Sequence, residues 1–373
     1  MKKGISPTLK RILILFFGVV MFFAGRITHY PGKLEVIRSL IDSYFVLDYD
    51  IEDIEDVAAK YMVSELKDPH SEYMTAEESE IFDEAMEGYY KGIGMTIGYN
   101  EETKEMYIEA LQEGGPADAA GMKAWDVLLK VDELDITYES YDKVFYYIKG
   151  VSEDAPDDDT AMNFIVKRNN EELEFSVKRA ELKYDNIDYE NNDGILYIKL
   201  LEFTGDVAEE MENILKKQEE IKGIVLDLRD NPGGDLDILI DIADMYLPKG
   251  VILLTTEDAS GEKTEYKIKD DKYYDVPLAV LTNGDSASAS EVFASCIKEN
   301  DRGVLIGETT YGKGLVQTII PLGDGSALKL TIEKYYTSKG NYINGVGVEP
   351  DIVIEDYDKQ KEAAFDYIDE KIK

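Results

Sequence analysis

The chain has 373 residues, length for two or three domains with real cores, and its 44% hydrophobic and 32% charged content is that of a globular protein rather than a disordered one. The net charge is −38, and because the first 33 residues hold six basic and no acidic side chains, the remainder sets 34 basic against 78 acidic residues. So negative a body excludes nucleic acid and anionic lipid as its partners, and a lone cysteine, Cys296, excludes an internal disulfide.

At the N-terminus Lys2, Lys3, Lys10 and Arg11 precede an unbroken apolar run, Ile12 to Gly25, closed by Arg26. Basic residues before a short apolar run are the pattern of a signal peptide or signal anchor. The run is shorter than the roughly 17–25 residues of a full span, but flanking arginines can snorkel to extend it. Phe22 and Phe23 stand where a cleavage site needs small residues, so residues 1–30 are expected to remain as an anchor, or to be a cleaved signal. Either way the charge bias places the body outside the cytoplasm, at the cell membrane or secreted.

Residues 31–85 read as helical. Leu34, Ile37, Leu40, Ile41 and Phe45 fall at helical spacing, as do Ile54, Val57, Ala58, Tyr61 and Met62. Asp68-Pro69-His70-Ser71 breaks the pattern, and Thr75-Ala76-Glu77-Glu78 opens another helix with a capping-box signature. These N-terminal helices are a candidate homodimer face.

From residue 86 to 180 the pattern changes to short strands and glycine turns. Gly92-Ile93-Gly94-Met95-Thr96-Ile97 is a glycine loop running into a strand, and Gly115-Pro116-Ala117-Asp118-Ala119-Ala120-Gly121-Met122 is followed by Asp126-Val127-Leu128-Leu129. These residues resemble a PDZ domain, with Trp125 where that family usually has Gly. The resemblance implies a carboxylate-binding loop at Gly92, Ile93 and Gly94, whose backbone N–H groups would capture the C-terminus of a peptide added as a strand. The acidic turn from Ser152 to Thr160 lacks the spaced Gly and closing Glu of a calcium loop, and no metal or cofactor is expected.

Over 181–355 strands and helices alternate, the pattern of an α/β domain with a covered sheet. Expected strands are Ile195–Leu201, Gly223–Leu228, Val251–Thr256, Pro277–Leu281 and Gly303–Gly307, with a hairpin from Leu315–Pro321 and Ala327–Tyr336. Expected helices are one capped by Thr204 and running through Gln218, then Asp235–Leu247 and Ser288–Lys298. Residues 356–373 form a helical tail.

The chemistry concentrates between Thr282 and Gln317. A strand ends at Asn283-Gly284, and a helix begins within Ser286-Ala287-Ser288-Ala289-Ser290-Glu291. A serine at a helix N-terminus sits among unpaired N–H groups that favour a developing oxyanion, although serines there are usually caps. Alternation alone does not say which serine acts. The two histidines, His29 and His70, lie far N-terminal, whereas Lys313 sits between Gly312 and Gly314. A Ser-Lys pair needs no histidine. An ordinary lysine is charged at neutral pH, so burial must hold a lysine base well below the usual ammonium range. A second strand ends in Arg229-Asp230-Asn231-Pro232-Gly233-Gly234, a natural source of free N–H groups. Gly307 to Lys313 also reads as G-x-x-x-x-G-K. Gly314 replaces the magnesium-binding Ser or Thr, and a β-rich run follows where a P-loop needs a helix, which sets a nucleotide site aside.

Together these stretches resemble the C-terminal processing peptidases, or tail-specific proteases. The resemblance rests on Asp68-Pro69-His70-Ser71-Glu72-Tyr73, Leu226-Asp227-Leu228-Arg229-Asp230-Asn231-Pro232-Gly233-Gly234, the serine run with Gly312-Lys313-Gly314 and Gln317, and Gly345-Val346-Gly347-Val348-Glu349-Pro350-Asp351. It implies a multi-domain α/β protein: a crotonase-like α/β protease domain with an inserted β-rich PDZ domain and a helical N-terminal segment. It also implies Ser288 as nucleophile, Lys313 as general base, Gln317 positioning that lysine, and an oxyanion hole from the N–H of Ala289 with one from Gly233 or Gly234. The expected function is serine endopeptidase action on protein substrates recognised by their C-terminal tails, with the PDZ domain binding the tail and gating the site. The alternative is a catalytically silent, membrane-anchored PDZ scaffold.

Overall fold

The computed structural model describes residues 32–136, 141–152 and 154–373. The apolar run at 12–25, and with it the expected anchor, lies outside them. Among the described residues no helix is long and apolar enough to cross a membrane. The chain divides into two compact units at Glu55/Asp56.

The first unit contains the helix Lys33–Tyr44. Its apolar positions Leu34, Ile37 and Leu40 are all exposed, and Arg38 pairs with Glu55 at 2.6 Å. The second unit is organised around a six-stranded sheet in the order 187–192, 195–200, 223–227, 278–282, 304–307, 352–353. The first pair is antiparallel and the rest are parallel. Parallel strands have both faces covered, and the side chains divide with the period of two that a strand imposes. Leu196, Ile198, Ile224, Leu226, Leu278, Val280 and Leu305 enter one core with Phe293 and Ile297 of the helix Ala289–Glu299. Ile195, Tyr197, Val225, Ala279, Leu281 and Ile306 enter another with Ala364 and Ile368 of the helix Tyr357–Ile372.

A second sheet lies at the carboxyl-terminal part of the unit. Strand Ala327–Thr337 pairs with Leu315–Pro321, with Ile252–Asp258 and, in register Glu72↔Lys329 to Met74↔Ala327, with the strand Glu72–Met74. The last pairing corrects the all-helical reading of 31–85. The residues after Pro69 leave the helix pattern and extend a sheet whose other strands lie between residues 252 and 337. The capping box at Thr75 forms as expected, with the hydroxyl accepting from the Glu78 N–H at 3.3 Å and Glu78 reaching back to the Thr75 N–H at 2.9 Å. Thr204 does not cap the following helix, which runs Val207–Lys217 with Asp206 at its N-cap. Thr204 is buried and accepts from Asn186 Nδ2 at 2.9 Å.

Between these parts a separate β-rich body has its own core of Ile108, Leu128, Val131, Phe164 and Val166. Its sheet runs 95–99, 106–111, 127–131, 162–168, 171–177, so that Met95–Tyr99 is an edge strand. The chain enters through Tyr89–Gly92 and leaves through Ala180–Lys183, and these two strands pair with each other. Trp125 takes φ 71, the left-handed turn for which a glycine is usual, and stacks on Tyr107 at 5.3 Å.

Candidate active site

Strand Leu278–Thr282 is fully buried and delivers the serine run to the end of the parallel sheet. There the three serines separate. The Ser286 hydroxyl, fully buried, donates to the Leu228 carbonyl at 2.7 Å and accepts from the Asn283 N–H at 3.0 Å. Ser290, also fully buried, donates to the Asn231 carbonyl at 3.0 Å. Ser288 alone is partly exposed, and it opens on a cavity of about 570 Å³. It holds φ 55, ψ −114 at the N-cap of the helix Ala289–Glu299, a region costly for a residue with a Cβ.

The same cavity is lined by Ala289, Gly233, Gly234, Lys313 and Gln317, so the expected catalytic and oxyanion residues meet in one place. Gly233 lies against the nucleophile: a Cβ built on it would stand 2.8 Å from Ser288 Cβ and 2.9 Å from the Ala289 nitrogen. Its N–H, however, donates to Asn231 Oδ1 at 2.8 Å. Among the described residues Gly234 (φ 140) and Ala289 have backbone N–H groups with no acceptor, which suits them to an oxyanion. Asn231 fixes this turn. Its Nδ2 donates to the Leu200 carbonyl at 2.8 Å and its own carbonyl accepts from the Ala287 N–H at 3.0 Å.

Lys313 is partly buried in the loop before strand Leu315–Pro321. Its pKa is lowered, first by burial and then by the like charge of Lys329, while Glu291, Asp68 and Glu72 oppose the shift. The backbone is held by Tyr335, whose buried hydroxyl donates to the Lys313 carbonyl. Gln317 lines the cavity, with its Nε2 donating to Thr331 Oγ1 at 3.0 Å. Asp68-Pro69-His70-Ser71 docks on the neighbouring strand Ala327–Thr337. Ser71 Oγ donates to Asp68 at 2.6 Å and accepts from the Thr331 N–H at 3.0 Å. Although far away in sequence, His70 thus lies in the electrostatic reach of Lys313. Burial, then the Lys313 charge, hold its imidazole below the usual range.

Glu291, Asn231, Tyr335 and Lys329 were not singled out by the sequence. Glu291 and Asn231 lie within the motifs, but each also has partners from elsewhere in the chain: Thr310, Gly312 and Lys313 for Glu291, Leu200 and Ala287 for Asn231. The loop Gly92, Ile93 and Gly94 lies elsewhere, lining a groove of about 250 Å³ with Tyr141, Phe145 and Lys149.

Residues 194–354 match the family model of peptidase family S41. Across the wider chain a Staphylococcus aureus (strain N315) protein described as a CtpA-like serine protease is 33% identical over 332 residues, 87% of this chain and 64% of the relative. The chain therefore spans 64% of the length of that relative. A Bacteroides fragilis structure described as an S41 protease covers 89% of this chain and 92% of its own, at 15% identity and a TM-score of 0.52, a likeness of fold. The photosystem II D1 C-terminal processing protease aligns over 85% of this chain and 86% of its own, at 26% identity and a TM-score of 0.49. The matched segment contains the five parallel strands of the sheet, the serine run, Lys313, Gln317 and the Gly233-Gly234 turn, while the antiparallel edge strand 187–192 and the β-rich body lie before it.

Proposed function

We propose that the chain is a serine endopeptidase of the C-terminal processing type, working by acyl transfer with Ser288 as nucleophile and Lys313 as general base. The observation that carries the reading is the sorting of the three serines, which leaves Ser288 on the cavity that Lys313 lines. Neutral Lys313 takes the Ser288 proton as Oγ attacks a peptide carbonyl, then returns it to the leaving amine. The N–H groups of Ala289 and Gly234 receive the oxyanion. Gln317 steadies the lysine from the hairpin, and water hydrolyses the acyl-enzyme.

The β-rich body is assigned as a PDZ domain that binds the substrate's C-terminus and gates the site. Supporting this is its groove, where the edge strand Met95–Tyr99 and the Gly92–Gly94 loop face the helix Tyr141–Lys149. An edge strand can accept a peptide strand, and the loop its carboxylate. The apolar run at 12–25 serves as a membrane anchor or cleaved signal, and the exposed Leu34, Ile37 and Leu40 suit the N-terminal helices to a homodimer. Sedimentation of a Leu34→Glu, Leu40→Glu chain at an unchanged dimer mass removes the second assignment, and a carbonate-washed membrane fraction free of the protein removes the anchor.

The deciding experiment incubates the full chain with an unstructured protein ending in an apolar tail, as free acid and as C-terminal amide, and separately with a serine-reactive fluorophosphonate. The free acid is cut faster and the probe maps to Ser288. Equal rates remove tail recognition by the PDZ domain. A label on Ser286 or Ser290, or none with no cleavage, overturns the protease reading.

The pH profile tests the base. Activity needs Lys313 neutral, so kcat/KM rises with pH through the lysine's depressed pKa. Lys329→Met removes a like charge that disfavours the ammonium. The Lys313 pKa then rises, and the acid limb moves to higher pH. A limb that stays in place or moves down shows that Lys313 is not the titrating group.

A further inference from the structure

The Glu291 side chain is fully buried in the first turn of the helix that Ser288 opens, and it joins the start of that helix to the loop 310–313. Its Oε2 accepts the Ser288 N–H at 2.9 Å and the Lys313 N–H at 2.8 Å. Its Oε1 accepts the Gly312 N–H at 2.7 Å and the Thr310 hydroxyl at 2.6 Å. Three of these partners are backbone N–H groups, which can only donate. The Thr310 oxygen already accepts from the Val348 N–H at 2.7 Å, which leaves its proton for Glu291. Burial raises the Glu291 pKa, and the four hydrogen bonds oppose that rise by favouring the anion; an ionised carboxylate is acceptor-only with about four lone-pair sites, and here four donors face it.

We propose that Glu291 is the positioning residue of the Ser288–Lys313 pair, one carboxylate oxygen holding the backbone of nucleophile and base to a common point. The inference rests on the dyad reading above and deepens it. A glutamate three residues into a helix often accepts the N-cap N–H, but that role uses one donor. The other three come from Thr310, Gly312 and Lys313, which the helix does not need for its own capping. Both clamped residues require restraint. Ser288 sits at φ 55, a strained conformation that persists only where the surroundings over-determine it. Lys313 follows Gly312, itself at φ 89, and precedes a second glycine.

The carboxylate also acts on the lysine through charge. The titratable groups that face Lys313 are Lys329, Glu291, Asp68, Glu72 and His70. Of the carboxylates, Glu291 contributes most to favouring the ammonium.

Glu291→Gln removes the charge and turns an amide N–H toward donors. The expected result is a fall in kcat of about 100-fold, the scale of a misplaced reacting group, with KM held. The acid limb of kcat/KM also moves to lower pH, because the anion favouring the ammonium is gone. A helix cap with no further role would scale kcat equally at every pH, so a folded variant whose limb is unmoved, or moves up, overturns the inference. Should that variant fail to fold, Thr310→Val removes one donor and keeps the charge. Its kcat falls about 10-fold, and Thr310→Ser, which restores the hydroxyl, recovers most of that loss. Equal losses in both, or none in Thr310→Val, overturn the inference equally. Ser288→Ala run alongside separates the two readings. Hydrolysis that survives it defeats the dyad. Hydrolysis abolished there but unaltered in the Glu291 and Thr310 variants defeats only the positioning role.

Discussion

Alanine at Ser288 or at Lys313 lowers kcat on the order of 10⁴–10⁶-fold, and the double variant loses no more than the worse single one. On the proposed dyad the two act in one step. Without the lysine, the Ser288 hydroxyl has no acceptor for its proton, and without the hydroxyl the lysine has nothing to deprotonate. Residual hydrolysis should remain above the uncatalysed rate, because Ala289 and Gly234, whose N–H groups have no other acceptor, still line the cavity. Neither substitution touches the core. Ser288 and Lys313 are partly exposed on a cavity, so the circular dichroism and thermal midpoint of the folded chain hold. Losses that multiply in the double variant would mean independent roles and would sink the dyad.

Arg229→Met lowers stability by about 3–5 kcal/mol, the cost of stranding one partner of a buried ion pair. Arg229 and Asp227 are 2% and 0% exposed. The guanidinium Nε donates to Asp227 Oδ1 at 2.9 Å, Nη1 donates to the Tyr357 carbonyl at 2.6 Å and to Gln360 Oε1 at 3.1 Å, and the Tyr357 ring lies 3.5 Å from its carbon. One side chain thus fastens the end of the parallel sheet to the helix Tyr357–Ile372. In the variant Asp227 retains the Tyr197 hydroxyl at 2.7 Å and the N–H of residue 229 at 3.0 Å, too little for a buried carboxylate. Chemical denaturation reads the loss. A change below about 1 kcal/mol would show the pair to be replaceable by packing, as some buried pairs are.

The parallel strands were legible because both of their faces are buried. Gly223–Asp227, Leu278–Thr282 and Val304–Gly307 are apolar runs bounded by Gly, Pro or Asn, and in the structure their residues are buried throughout. The strand Glu72–Met74 was not legible. It has three residues and no periodicity to display, and its partner is supplied by Ala327–Lys329. Similarly, the alternating serines gave no preference among themselves, because what separates them is burial against Leu228 and Asn231, which arrive from another strand end. Between Gly233 and Gly234, Gly234 is the proposed donor because the Asn231 side chain, whose direction the letters do not reveal, already accepts the Gly233 N–H. Glu291 was visible as a letter in the motif, but its four donors come from positions 288 to 313 and meet only in the folded chain.

The pairing of Glu72 with Lys329, 257 positions apart, also sets a timetable. At about 5–20 residues per second, a ribosome makes the first strand on the order of 13–50 s before its partner. For that interval the nascent chain has its serine run only late, its lysine later, and the segment that packs on Gly312 later still. The proposed Ser288–Lys313 pair is therefore among the last parts of the fold to be completed, since its surroundings wait for residues 345–347.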